Sequence, residues 1–193
     1  MLSGPSRAVV LVDPVTIEVD LKVKGAIESK DTDLSLLAVP STYSGGSGSC
    51  PFEYTSKHCT LEFMLGEIVS SVEATIFIRV IDGSWPDGFH GQFAAHTTSV
   101  DHEKVILLEF GHDNVVPVSA NGIMKLSRHV VSVEVSGTLK VSSRAWQDGC
   151  KAVVAFTAAK VGRSYRALHF GSCKMEVLVA WSLISPEPEP DDY

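Results

Sequence analysis

The chain has 193 residues, 45% of them hydrophobic, and a formal net charge of −7. This length allows a sizeable core within one domain. Four of the 23 acidic residues lie in the segment 186–193, which leaves the body at −3, and a body so close to neutral lacks the basic stripe of nucleic-acid or anionic-membrane binders. The longest apolar runs are too short for a membrane span, and the first residues have no apolar signal-peptide core. We therefore expect no nucleic-acid partner and no membrane partner.

Two segments, 15–23 and 131–141, alternate between apolar and polar side chains, and the second differs mainly by an insertion at Gly137-Thr138. Because successive side chains of a strand point to opposite faces, each segment predicts a half-buried β-strand. One such strand in each half of the chain favours two antiparallel sheets packed through their apolar faces. The two segments are also expected to be pseudo-symmetric mates.

Further strands are predicted between turn signals along the chain. The segment 72–81 is densely apolar, which predicts a central strand covered on both faces. No segment carries a helical apolar stripe over three turns. The fold class is therefore all-β, an antiparallel two-sheet sandwich of about ten strands with little helix, in a single domain over 1–185. The other predicted strands are 7–11, 34–39, 60–65, 104–110, 130–135, 139–146, 152–158 and 174–183.

Turn and tail chemistry adds three expectations. Asn121-Gly122 tolerates positive φ at two successive positions and predicts a type I′ hairpin turn. Pro117 cannot donate to a strand ladder, so we expect it on an edge. The acidic, proline-rich segment 186–193 is predicted to be a disordered tail, because its prolines lack amide donors and its charges favour water.

The loop 82–93 carries the candidate binding residues Trp85, Phe89, His90 and Phe93. Aromatic side chains in a long irregular loop have two interpretations: a plug that closes one end of the core, or an exposed anchor for a partner protein. Both remain open on the sequence. Trp146 and Trp181, by contrast, are placed in the core by the phase of their strands.

Catalytic and metal-binding motifs are not found. Four histidines (His90, His96, His102 and His112) lie within 23 residues, but none has the spacing of H-x-H or H-E-x-x-H. Ordinary surface histidines explain them better than a metal site, so no metal, cofactor or catalytic residue is assigned.

The cysteines Cys50, Cys59, Cys150 and Cys173 form no CxxC pair. Reduced thiols in the cytoplasm or nucleus are favoured, with a Cys50–Cys59 disulfide as the alternative.

Two strings, GPSRAVVLVDPVTIEVDLKVKG at 4–25 and the stretch from IDGSWPDGFHGQF to SGTLKVSSRAW at 81–146, resemble a grass-specific domain of unknown function. That domain is found alone in cereal proteins and as the C-terminal part of jasmonate-induced ribosome-inactivating proteins, and the similarity spans 4–184. The resemblance implies a link to plant stress and defence, with an rRNA N-glycosylase label inherited from the attached module.

The glycosylase label is not supported by residues of this chain. The active site of that superfamily needs a helix-borne Glu-Ala-x-Arg, whereas Glu73-Ala74-Thr75-Ile76 lacks the arginine and lies in a predicted strand. We therefore expect a non-enzymatic protein-interaction module of plant stress or defence responses. The alternatives are an rRNA N-glycosylase-associated activity and a metal-dependent hydrolase built on the four histidines.

Overall fold

A computed structural model describes residues 9–10, 14–27, 30–41, 46–86, 89–100, 103–111, 116–147 and 149–183. The described chain is nearly all β, and its strands pair only in antiparallel fashion, which confirms the predicted fold class. Twelve strands replace the expected ten or so. They are β1 (Val15–Val23), β2 (Thr32–Ser41), β3 (Gly48–Thr55), β4 (Thr60–Glu67), β5 (Ser71–Asp82), β6 (Gly91–His96), β7 (Val105–Phe110), β8 (Val130–Glu134), β9 (Thr138–Ala145), β10 (Lys151–Thr157), β11 (Val161–Phe170) and β12 (Cys173–Leu183).

The described residues divide into two compact units, one within 9–67 and one within 68–183. The smaller unit holds two hairpins, β1-β2 and β3-β4, each a two-stranded sheet. The larger unit holds the other eight strands. The expected single domain over 1–185 stays a prediction, and the tail 186–193 lies outside the described residues.

The larger unit contains two four-stranded sheets, ordered β10-β9-β6-β7 and β11-β12-β5-β8. Their apolar side chains meet in one core, as in a sandwich. Strand β12 shows the underlying pattern, because its odd-numbered residues from Cys173 to Trp181 are buried and its even-numbered ones are half-covered or exposed. Trp181 is in the core as predicted, where its Nε1 donates to Ser164 Oγ at 2.9 Å.

Strand β5 is central in its sheet, with β12 on one side and β8 on the other. Coverage of both faces, which its apolar density predicts, holds only at its start, where Val72, Glu73 and Ala74 are all buried. From Ile76 onward the burial alternates, and Phe77 points away from the core and is exposed. The second half of β5 therefore has one open face.

The predicted pseudo-symmetric pair of strands is wrong. The segment 131–141 is not one strand: β8 ends at Glu134, β9 begins at Thr138, and the two belong to different sheets. Between them Gly137 N donates to Glu134 O at 2.8 Å in a tight turn. The Gly137-Thr138 insertion thus marks the crossing between sheets, while β1 lies in a two-stranded sheet of the other unit. The similar alternation of segments 15–23 and 131–141 therefore does not reflect a symmetric pair of strands.

The turn at Asn121-Gly122 is present, but it is not type I′. Gly122 N donates to Ser119 O at 2.9 Å, and Ser119 N donates to Ile123 O at 2.8 Å. Gly122 has φ +80°, whereas Asn121 is not among the residues with positive φ. These bonds define a three-residue hairpin loop closed by a glycine bulge. Pro117 lies on the outer arm of this hairpin, as its missing donor predicts.

Candidate functional site

The aromatic loop 82–93 closes one end of the sandwich core. Trp85 is 8% exposed, and its ring stacks on Phe170 with centroids 4.3 Å apart and planes at 7°. Phe110 meets the indole edge-on at 5.2 Å, and Phe93 is tilted against it at 5.5 Å. The indole Nε1 donates to Phe89 O at 3.1 Å. Trp85 and Phe93 therefore occupy the positions that the plug interpretation describes.

Two glycines allow the loop to seat this plug. Gly83 has φ +67°, and a Cβ there would overlap the carbonyl oxygen of Ser172. At Gly91 a Cβ would lie 2.9 Å from the Trp85 ring and 2.5 Å from Arg144 O. Close backbone approach thus requires glycine at both ends of the loop.

The other two predicted binding residues are half-buried. Phe89 packs against the core, and His90 lines a shallow cleft of about 300 Å³ beside the plug. We call this depression the Trp146 cleft; its lining residues are His90, Glu109, Phe110, Gly111 and Trp146. The four predicted residues therefore split into a buried pair and a pair that approaches the surface.

The expectation that Trp146 is in the core is wrong, since its side chain is 42% exposed. The inward side chains of β9 stand at odd positions, from Leu139 to Ala145, and Trp146 follows at an even one. Its backbone N donates to His90 O at 3.1 Å, and the Arg144 guanidinium lies 5.0 Å from the ring centroid. Trp146 therefore presents its indole on the outer side of the sheet.

A row of outward polar residues crosses this sheet next to the cleft. Gln92 on β6 lies opposite Arg144 on β9 and Glu109 on β7, and directly opposite residues share a face. Gln92 Nε2 donates to Glu109 Oε2 at 2.9 Å, while Lys104 Nζ donates to Gln92 Oε1 at 2.7 Å. These bonds hold the Glu109 carboxylate in a defined position at the rim of the cleft.

The other four-stranded sheet presents apolar side chains to solvent. Tyr165 on β11 lies opposite Leu178 on β12, which lies opposite Phe77 on β5, so the three form a row on the face away from the core. Tyr165 is 51% and Phe77 45% exposed. The exposed Ile81 and Ile123 extend the same side, because Ile123 pairs with Arg79 of β5. We call these five apolar residues the outward face.

The residues of the alternative functions are only partly described. His90 and His96 lie in the described chain, whereas His102 and His112 lie outside it. The described residues contain no group of three or more His, Cys, Asp or Glu side chains placed to hold a metal ion. Glu73, from the partial glycosylase motif, is buried in strand β5 and pairs across the sheet with serines on both sides.

The cysteines are all free thiols. Cys59 lies opposite Ser56, whose N donates to Cys59 O, and Cys50 is six residues further along β3. That spacing corresponds to about 20 Å along a strand, far beyond the roughly 7 Å between Cα atoms that a disulfide spans. The Cys50–Cys59 alternative is therefore wrong in this fold. Burial raises the pKa of the Cys173 thiol, which lies in the core beneath the plug.

Sequence reasoning missed Trp146, Phe77 and Tyr165 as surface residues. The parity of β9 predicts the outward position of Trp146, if it is counted from the apolar odd positions. No sequence pattern predicts the exposure of Phe77, because an apolar side chain on a densely apolar strand is expected to lie in the core. Only the pairing of β5 with β12 and β11 shows that one of its faces is open.

Comparison with known proteins identifies the family of this chain. No curated protein and no solved structure matches the chain. Over the described residues, no helix has the length and apolar character that crossing a membrane requires. One family model, a domain of unknown function named DUF6598, matches residues 1–179. Since this match covers most of the 193 residues, the chain belongs to the DUF6598 family.

Proposed function

We propose that this protein is a non-enzymatic protein-interaction module whose partner docks on the outward face. The observation that carries the proposal is the row Tyr165–Leu178–Phe77, three neighbouring strands that each contribute a large apolar side chain to an open surface. Scattered apolar residues are normal on a monomer, but a contiguous group is characteristic of an interface. Aromatic side chains in such a group are the residues that most often dominate binding energy.

The charges around the outward face indicate the chemistry of the partner. Glu176 is neutralised on this face by Arg79, whose Nη2 lies 3.1 Å from Oε1. Arg163 and Lys174 share the face with Tyr165 and form no ion pair among the described residues, and Asp82 of β5 lies directly opposite Lys174. Arg163 is therefore the cation of this face that has no acidic residue opposite it, and the partner should be a different protein with an apolar strip and a carboxylate that meets Arg163.

We further propose that this module acts in stress or defence responses of grasses, in the cytoplasm or nucleus. Support comes from the resemblance of the strings at 4–25 and 81–146 to the domain that forms the C-terminal part of jasmonate-induced ribosome-inactivating proteins. Glu73 lies within strand β5, and Ile76 stands where the motif of that superfamily has its arginine, which supports the non-enzymatic proposal over N-glycosylase activity. A protein-binding role is compatible with either a free-standing or an attached domain.

The proposal is tested by placing a photo-crosslinking amino acid at Phe77 of the full chain and exposing it to extract of stressed leaf tissue. Val153 is the matched control position, because it is a similarly exposed apolar residue on a strand of the other sheet. We expect a specific adduct from position 77 and none from position 153. Adducts of equal yield from both positions would contradict the assignment, and a homodimer adduct would show the partner to be a second copy.

A further inference from the structure

The Trp146 cleft contains an aromatic ring that is held in place yet open to solvent. The guanidinium of Arg144 covers the ring at 5.0 Å, and the backbone N of Trp146 donates to His90 O. Little side-chain entropy remains to be lost when a ligand covers the exposed indole surface. Such a prearranged platform is a feature of a binding site, independent of the outward face of the other sheet.

The polar groups around this ring include both donors and acceptors. One oxygen of the Glu109 carboxylate accepts from Gln92, and among described residues the second has no partner. The indole N–H of Trp146 likewise donates to no described residue, and the imidazole of His90 borders the same cleft. A ligand here can therefore be offered hydrogen bonds of both kinds beside an apolar surface.

The charges of Arg144 and Glu109 beside the ring limit the classes of ligand that the cleft can bind. A cationic ligand over the Trp146 ring would be close to the Arg144 guanidinium, which repels it. An anionic ligand would face the carboxylate of Glu109. A neutral ligand avoids both penalties. The cleft volume of about 300 Å³ lies at the lower end of small-molecule pockets, which suits one or two small rings.

We propose that the Trp146 cleft binds a neutral sugar, as one pyranose unit of an oligosaccharide. A pyranose has a flat face of polarised C–H groups, which would stack on the face of the Trp146 indole away from Arg144, a residue that does not line the cleft. Its equatorial hydroxyls donate to Glu109 and accept from the Trp146 N–H, so both of these groups acquire a partner. A saccharide thus combines an apolar face with a rim of groups that both donate and accept hydrogen bonds.

The test titrates the full chain with a panel of neutral mono- and disaccharides and follows the indole N–H resonances of the three tryptophans by NMR. We expect at least one saccharide to shift the Trp146 resonance saturably below about 20 mM. Trp146→Ala and Glu109→Gln should each weaken binding about tenfold or more, and Val153→Ala should leave it unchanged. Tetramethylammonium and inorganic phosphate should bind less tightly than the saccharide.

Three results would overturn the proposal: no saccharide binding up to that concentration, binding that Trp146→Ala leaves intact, or tighter binding of either charged probe. Free oligosaccharides and the same glycans on a glycoprotein, before and after deglycosylation, distinguish the two natural sources. Phe77→Ser should not alter sugar affinity, and Trp146→Ala should not alter the yield of the Phe77 adduct. The sugar site and the protein-docking surface can therefore fail separately.

Discussion

Replacing Trp85 with alanine removes the plug from the end of the core. The substitution leaves a cavity among Phe93, Phe110 and Phe170, and it deprives the Phe89 carbonyl of its donor. Cavity formation on a Trp→Ala change costs about 3–5 kcal/mol, and a lost hydrogen bond costs about 1 kcal/mol. We expect the free energy of unfolding to fall by about 4 kcal/mol, which is a large part of the total stability of a domain of this size.

Urea denaturation followed by circular dichroism measures this loss directly, and thermal melting should show a fall of about 15 °C. Trp146→Ala is the matched control, because it removes the same side chain from an exposed position and should cost about 1 kcal/mol or less. If Trp85→Ala cost no more than the control, the plug would be refuted. An exposed anchor would then be the better interpretation of the loop.

Two further predictions concern backbone and thiol chemistry. Gly122→Ala should lower stability by about 2 kcal/mol more than Gly149→Ala in urea denaturation; both glycines have positive φ, but only at Gly122 would a Cβ lie 2.6 Å from a carbonyl oxygen, that of Val80. Equal losses of stability in the two variants would show that the backbone near Val80 moves aside without cost and would contradict this prediction. Cys173 should react with a thiol reagent far more slowly than the exposed Cys150. Burial raises the pKa of the Cys173 thiol from 9.0 in the folded state. The buried neutral thiol therefore contributes fully to stability below pH 9, and this contribution is lost as the pH rises above that value. Cys173→Ala should flatten the dependence of the free energy of unfolding on pH above pH 9. A profile that the substitution leaves unchanged would contradict this.

The strand content was predictable because alternating burial leaves a period of two in the sequence. The segment 15–23 became β1 with the predicted limits, since its polar and apolar positions never break phase. The segment 131–141 shows a case in which alternation alone does not predict the strands correctly. Its alternation is equally regular, but Gly137 forms a turn in which a Cβ would collide with the Glu134 side chain. A local pattern cannot report that the two halves of a segment serve different sheets.

The candidate site was less predictable, because exposure depends on which strands are neighbours. The aromatic loop was identified from composition alone, yet whether Trp85 points inward depends on Phe170, 85 positions away in the sequence, as its stacking partner. Trp146 illustrates the opposite case, because counting parity along β9 would have placed it outside. Phe77 required the pairing of three strands before its exposure could be known.

The central claim, that the outward face binds a partner protein, is tested most directly by affinity for the protein that the Phe77 adduct identifies. Isothermal titration should compare the native chain with Phe77→Ser, Tyr165→Ser and the control Val153→Ser. We predict that Phe77→Ser and Tyr165→Ser each weaken binding by at least about 30-fold, or 2 kcal/mol, and that the control stays within about twofold. Unchanged affinity in Phe77→Ser, with the variant folded and as stable as the control, would contradict the claim.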